Sequence, residues 1–315
     1  MEISKKNKNV FQVFLLLIGL ILLAYIIAKS GILENYQMFL TISVPLLLLA
    51  FVLSNANIIL KIYRWKFLSE KYGQPINYSD ASIVTVSSFY FANITPGKIG
   101  DLFKAYFMQK RYSLDFFDGV SMIFYERFFE LIILFLTACA IIFIDLRGVT
   151  VIILELSAII LLILALFYYK ADYFMNLAEK VIIKLPVIKI REVNFHIRKL
   201  PFINIVAVLF ITLISLIFEF ARLWVVALAF GYLLNPLQIS MFFSLAIIAG
   251  LISQVPLGIG IMEGSLSYLI QEMGVDPISS ISIVLTDRMI SMYYAMILGF
   301  IFSKISLDKL NEVSP

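Results

Sequence analysis

Two groups of charged residues, arranged in the same order, could hold or orient an ionic ligand. In the first, "PGKIGDLFK" places Asp101 and Lys104 just after Pro96, Gly97 and Gly100, and "ERFFE" follows with Glu126, Arg127 and Glu130. In the second, "PLGIGIMEG" contains Pro256, Gly258, Gly260 and Glu263, and a later "DR" supplies Asp287 and Arg288; Glu219 and Arg222 precede them. Lysine and arginine can take a phosphate or carboxylate, arginine through a planar two-pronged contact. Acids beside them can orient those cations or carry a proton. Proline and glycine interrupt a helix and let backbone approach a ligand closely. A nucleophile or a metal cluster is not apparent. The single cysteine, Cys139, excludes an intrachain disulfide, and the single histidine, His196, lies in a polar connector and reads as solvated. No cofactor and no metal are expected.

These charges sit in a chain made for lipid. Of its 315 residues 62% are hydrophobic and 15% charged, with a mean hydropathy of +0.98. A soluble domain cannot cover so much apolar surface, so the chain reads as an all-α polytopic membrane protein. Apolar runs at 10–28, 38–60, 116–144, 149–169, 202–223 and 281–302 are long enough to cross the hydrocarbon. Lys5, Lys6 and Lys8 before the first run resemble a signal peptide, but the run is long and lacks a small-residue cleavage site, so it reads as a retained span. Segments 79–111 and 237–272 differ: each has an apolar arm, a break at Pro96 or Pro256, and a shorter arm. Backbone freed at such breaks must be buried in protein or line a cavity. They read as re-entrant hairpins.

Charge supports this topology. The candidate inner pieces 1–9, 61–71, 98–111, 170–199 and 303–315 hold 20 of the 25 lysines and arginines. The positive-inside rule then places both termini in the cytoplasm. The expectation is six crossings plus two re-entrant hairpins, or eight to ten membrane helices if the hairpin arms span. The basic connector 170–200 reads as an interfacial helix on anionic lipid rather than a nucleic-acid site, since it offers no aromatic platform.

The two hairpin regions also align with each other. Arg64 pairs with Arg222, Pro75 with Pro236, Ser79 with Ser240, Pro96 with Pro256, Gly100 with Gly260, Asp115 with Asp276, Glu126 with Asp287 and Arg127 with Arg288, all at offsets of 158 to 161. Such scarce residues recurring in order indicate a duplication, 1–148 and 149–315. Three crossings per half make the second half inverted, an arrangement common in secondary transporters.

Together, "PGKIGDLFK" with "ERFFE", then "PLGIGIMEG" with "DR", resemble the transmembrane domain of lysylphosphatidylglycerol synthases and its stand-alone relatives. That family typically shows Pro-Gly-x-x-Gly-Glu-x-x-Arg, Glu-Arg, Pro-x-Gly-Gly-x-Gly-x-x-Glu and a late Arg. Asp101 and Lys104 stand where Glu and Arg are usual, and Leu257 replaces a glycine. The resemblance implies lipid translocation. Aminoacyl transfer belongs to a separate soluble domain in the bifunctional relatives, and nothing follows residue 315 here, so no enzyme is expected. The expected function is movement of an anionic phospholipid or lipid-linked saccharide across the cell membrane. Lys104, Arg127, Arg222 and Arg288 would bind phosphate, Asp101, Glu126, Glu263 and Asp287 would orient them, and Pro96, Gly97, Gly100, Pro256, Gly258 and Gly260 would shape the breaks. A small-solute or ion transporter of this architecture and a membrane-embedded headgroup enzyme are the alternatives, and an internal ion-pair network is the competing reading of the charges. Oligomeric state is open.

Overall fold

A computed structural model describes residues 16–29, 39, 41–140 and 200–312. The expected span 149–169, the connector 170–200 and the division at 148/149 lie outside the described residues. Within them the chain is helical, without a strand. The elements are α1 (Leu16–Lys29), α2 (Val44–Lys71), α3 (Tyr78–Ile94), a 3₁₀ segment (Pro96–Asp101), α4 (Leu102–Tyr112), α5 (Phe116–Cys139), α6 (Phe202–Ala229), α7 (Pro236–Ile252), a 3₁₀ turn (Pro256–Gly258), α8 (Ile261–Gln271), α9 (Pro277–Arg288), a π turn (Met289–Tyr293) and α10 (Tyr294–Asn311).

Helix starts follow from short polar residues that accept otherwise unpaired backbone N–H groups. Asn77 accepts from Asp80 N at the start of α3, and Asn235 accepts from Leu237 N and Gln238 N at the start of α7. Asp115 and Asp276 cap α5 and α9 in the same way.

The helices match in pairs. α2 and α6 have 28 residues each, α3 and α7 have 17, and α4 and α8 have 11. Their starts are offset by 158 or 159 residues. One detail of the sequence alignment is corrected. Pro75–Pro236 and Ser79–Ser240 are three residues out of register with the helix ends, and the capping residues Asn77 and Asn235 are the true equivalents. Pro236 opens α7, whereas Pro75 lies in the loop before α3.

α2 and α6 run antiparallel, with Ser43 N donating to Ala229 O at one end. Near their middle, Asn57 donates to Ser215 and Lys61 pairs with Glu219. Each of these residues touches its own equivalent 158 positions away. That occurs only beside a two-fold axis, so a pseudo-two-fold passes between α2 and α6 at this point.

Around this pair the surface is inverted relative to a soluble protein. Val44, Leu48, Val52 and Ile59 on α2 and Phe202, Ile203, Phe210 and Ile217 on α6 are exposed. Lys104, Glu126, Arg222, Glu263 and Asp287 are buried. α2, α6 and the continuous run Pro277–Asn311 are long and apolar enough to cross a membrane. α5 reaches about 36 Å at 1.5 Å per residue, enough to cross, though it carries Glu126, Arg127 and Glu130.

The two breaks fold their arms into hairpins. Phe91 near the end of α3 packs against Phe103 in α4, at 4.4 Å between ring centres. Arg111 and Tyr112 at the end of α4 return to Asp80 at the start of α3. An 11-residue arm is about 17 Å long, too short for a hydrocarbon layer of about 30 Å. The short arms therefore do not span, so both breaks form re-entrant hairpins rather than pairs of crossings. Two apolar cores flank the pseudo-two-fold. One joins α2 to α5 around Trp65, Phe107, Phe116 and Met122. The other joins α6 to α9 around Leu223, Phe242, Leu266 and Ile283.

A cation-lined cavity between two broken hairpins

Both breaks have the same backbone form. Gly97 and Lys98 have φ of 61° and 56°, and their equivalents Leu257 and Gly258 both have φ of 63°. The left-handed region costs a residue with a side chain roughly 1 kcal/mol or more, so the tight turn suits glycine. Where glycine is absent in the second break, an arginine compensates: Arg288 Nη2 donates to Leu257 O at 2.6 Å. Close approach explains Gly100. A Cβ there would lie 1.9 Å from Phe91 O, so the chain could not fold back. A Cβ on Gly260 would meet Gly19 O at 2.5 Å, where α1 crosses the second break. The tips also meet each other, since a Cβ on Gly97 would lie 2.8 Å from Gln254 Oε1.

Between the breaks lies a cavity of about 220 Å³, walled by α2, α6 and the tips of both hairpins. The predicted residues converge on it from both halves. Glu126 accepts from Arg64 Nε at 3.0 Å and from Lys104 Nζ at 2.7 Å. Lys104 also stands 4.7 Å from the centre of the Trp65 ring. Arg127 is held by Asp101 at 2.7 Å and Glu130 at 2.6 Å. Arg222 and Asp287 form a two-pronged pair at 2.8 and 3.2 Å. Arg288 binds Glu263 at 2.9 Å, and Glu263 in turn accepts from Gly260 N at 2.7 Å, closing the start of α8.

The pairings repeat across the axis. Arg64–Glu126 in one half corresponds to Arg222–Asp287 in the other, and Arg127 and Arg288 each bind an acid at the start of a short hairpin arm. The π turn after Arg288 belongs to this site: it frees backbone carbonyls, and Ser54 on α2 donates to one of them, Ile290 O, at 3.0 Å.

Packing decides partners and helix ends that spacing alone leaves open. Glu219 and Arg222, one helical turn apart, do not pair with each other: Glu219 takes Lys61 at 2.6 Å and Arg222 takes Asp287. Likewise Asp101 and Lys104 are directed to different partners, Arg127 and Glu126. Finally, α2 does not end near residue 60 but continues to Lys71. Lys61 and Arg64, counted as cytoplasmic, line the cavity, and so do Lys98 and Lys104. The reason is helical propagation: 61–71 follows α2 without a break, and Lys61, Arg64, Trp65 and Leu68 fall on one inward stripe.

Lys61, Arg64, Lys98, Glu130 and Glu219 are thus wall residues outside the predicted site set. The signal available for Lys61 and Glu219 was their 158-residue offset, the offset of the repeat itself. Pro96, Gly97, Gly100, Pro256, Gly258 and Gly260 all fall in or directly beside the two breaks.

Charge at the wall is one-sided. Lys61, Arg64, Lys98, Lys104, Arg127, Arg222 and Arg288 all line the cavity. Of their acids only Glu130, Glu219 and Asp287 do so; Asp101, Glu126 and Glu263 stand behind the cations they bind. The space therefore presents donors inward, in an apolar surround where such donors act strongly.

Comparison with known proteins agrees with this architecture. The family model described as "Lysylphosphatidylglycerol synthase TM region" matches residues 12–299. A UPF0104 membrane protein of Methanocaldococcus jannaschii is 23% identical, covering 94% of this chain and 95% of its own length. A UPF0104 membrane protein of Methanothermobacter thermautotrophicus is 27% identical over 76% of this chain and 77% of its own.

Proposed function

This chain belongs to the lysylphosphatidylglycerol synthase TM-region family, and from that premise we propose that it moves an anionic lipid, a phospholipid or a lipid-linked saccharide, between the leaflets of the cell membrane. The observation that carries the reading is the cavity wall, where all seven cations face inward while three of the six acids stand behind them. A phosphate cannot cross hydrocarbon without polar partners, and this wall supplies them. The acyl chains would remain outside, against the exposed apolar faces of α2 and α6. Two hairpins meeting at Gly97 and Gln254 supply a boundary that can open to either side if one half rocks against the other about the pseudo-two-fold. In this reading both termini are cytoplasmic, the chain divides at about residues 148/149, and no catalytic step is required.

Arg127 is the residue to test. Its side chain is 29% exposed, toward the cavity, more than that of any other arginine of the wall, and because its loss also leaves Asp101 and Glu130 without their cation, the fold of the variant is checked beside its transport rate. Arg288 is less suitable, because its side chain is only 6% exposed and it also holds the backbone of the second break at Leu257 O. The measurement is quencher protection of fluorescent phosphatidylglycerol in liposomes containing the purified protein. The wild type is expected to expose inner-leaflet lipid to a membrane-impermeant quencher, and Arg127→Gln to reduce that rate at least about tenfold, the scale of a lost charge-assisted contact. Equal rates in both proteins, with Arg127→Gln folded, would remove Arg127 from the transport path. No transport of anionic or sugar-linked lipid by the wild type, with or without an ion gradient, would refute the function.

A further inference from the structure

Six of the seven wall cations have a carboxylate within ion-pair distance: Lys61 with Glu219, Arg64 and Lys104 with Glu126, Arg127 with Asp101 and Glu130, Arg222 with Asp287, and Arg288 with Glu263. Among the described residues Lys98 is the exception; it has no such partner. Seven cations against six acids leave the site one positive charge in excess when empty. Lys98 is also placed unlike the others. It rides on the break itself, at φ 56°, rather than on a long helix, and it lies next to the Gly97–Gln254 contact between the two tips.

We propose that the cavity is matched to a ligand bearing a single negative charge, a phosphodiester carried on a lipid, and that Lys98 is the residue that sets this preference over phosphomonoesters and pyrophosphates. The inference rests on the lipid-transport reading for its ligand class, but the charge match is a property of the empty site. A diester carries one charge and neutralises the excess. A monoester carries about 1.5 to 2 charges near neutral pH, which leaves an uncompensated charge in an apolar surround, where the penalty is large. The six paired cations remain available as hydrogen-bond donors and are balanced as a set by the six acids, Arg64 and Lys104 sharing Glu126 while Arg127 has both Asp101 and Glu130. Because Lys98 sits on the break beside the Gly97–Gln254 approach, a diester bound to it would also lie against both tips.

The test is binding, kept separate from transport. The full chain is placed in phosphatidylcholine nanodiscs and titrated with dioctanoyl phosphatidylglycerol, a diester, and dioctanoyl phosphatidic acid, a monoester. The wild type is expected to bind the diester about tenfold or more tightly, given the strength of one unpaired charge at partial burial. Lys98→Gln should lose that margin and Lys98→Arg should keep it. Glu130→Gln, which raises the excess to two, should shift the preference toward phosphatidic acid. Tighter binding of phosphatidic acid by the wild type would overturn the proposal, as would unchanged selectivity in a folded Lys98→Gln. Diethyl phosphate should not displace the lipid at equal concentration; if it does, the lipid origin of the diester is wrong. If the binding order holds but vesicles show no transport, the charge match stands and the transport reading falls. If transport depends on Arg127 but the two lipids bind alike, the reverse is true.

Discussion

The Arg222–Asp287 pair allows the energetics of the site to be measured on its own. Both groups are buried, at 4% and 0% exposure, and they share two hydrogen bonds at 2.8 and 3.2 Å. Arg222→Met leaves the Asp287 carboxylate with no cation among its described partners. Breaking a buried pair from one side costs about 3–5 kcal/mol. Asp287→Leu should cost less, about 1–2 kcal/mol, because Arg222 has Glu219 one helical turn away on α6, so its long side chain can find another acid. The double variant Arg222→Met/Asp287→Leu removes both charges and should lie within about 1 kcal/mol of the wild type. The assay is unfolding in detergent with increasing sodium dodecyl sulfate, followed by tryptophan fluorescence, with all four proteins compared as a double-mutant cycle. The expected order of loss is Arg222→Met, then Asp287→Leu, then the double variant. A double variant as unstable as Arg222→Met would show that the cost comes from lost packing rather than from a stranded charge. Equal losses in the two single variants would show that Glu219 does not receive Arg222.

Two further predictions concern local structure. Gly100→Ala should prevent folding or lower the melting temperature sharply, because its Cβ would sit 1.9 Å from a backbone oxygen that cannot move aside, whereas Gly250→Ala, which meets only ordinary contacts at 3.7 Å, should be tolerated; differential scanning fluorimetry compares them, and a stable Gly100→Ala would mean that the first hairpin does not close on Phe91. Asp276 lies at the start of α9, outside the spans, and although partial burial raises its pKa, hydrogen bonds from Tyr232 and from Ser279 outweigh that and leave it below its usual value. A depressed acid contributes stability above its unfolded pKa, about 3.9, and loses it as pH falls through the folded value, so the melting temperature of the wild type should drop more steeply below about pH 4 than that of Tyr232→Phe; parallel curves would refute this.

The sequence alone was enough to establish the solvent, the breaks and the repeat. Apolar runs of spanning length require lipid, and proline with glycine requires an interruption at Pro96 and Pro256. Offsets of 158 to 161 between scarce residues carry over to helices of equal length. These properties are legible because they depend on local chain chemistry and on comparison of the chain with itself. Partner choice was not legible. Glu219 stands one turn from Arg222 yet binds Lys61, a residue 158 positions away, because the antiparallel crossing of α2 and α6 brings the two together at the pseudo-two-fold. The same crossing turns Lys61 and Arg64 from a basic flank into cavity wall. An ion pair within one helix competes with pairs between helices, and burial favours whichever geometry satisfies more donors. Only the packed arrangement of helices settles that competition, so the identity of the charged residues was readable in one dimension and their connections were decided in three.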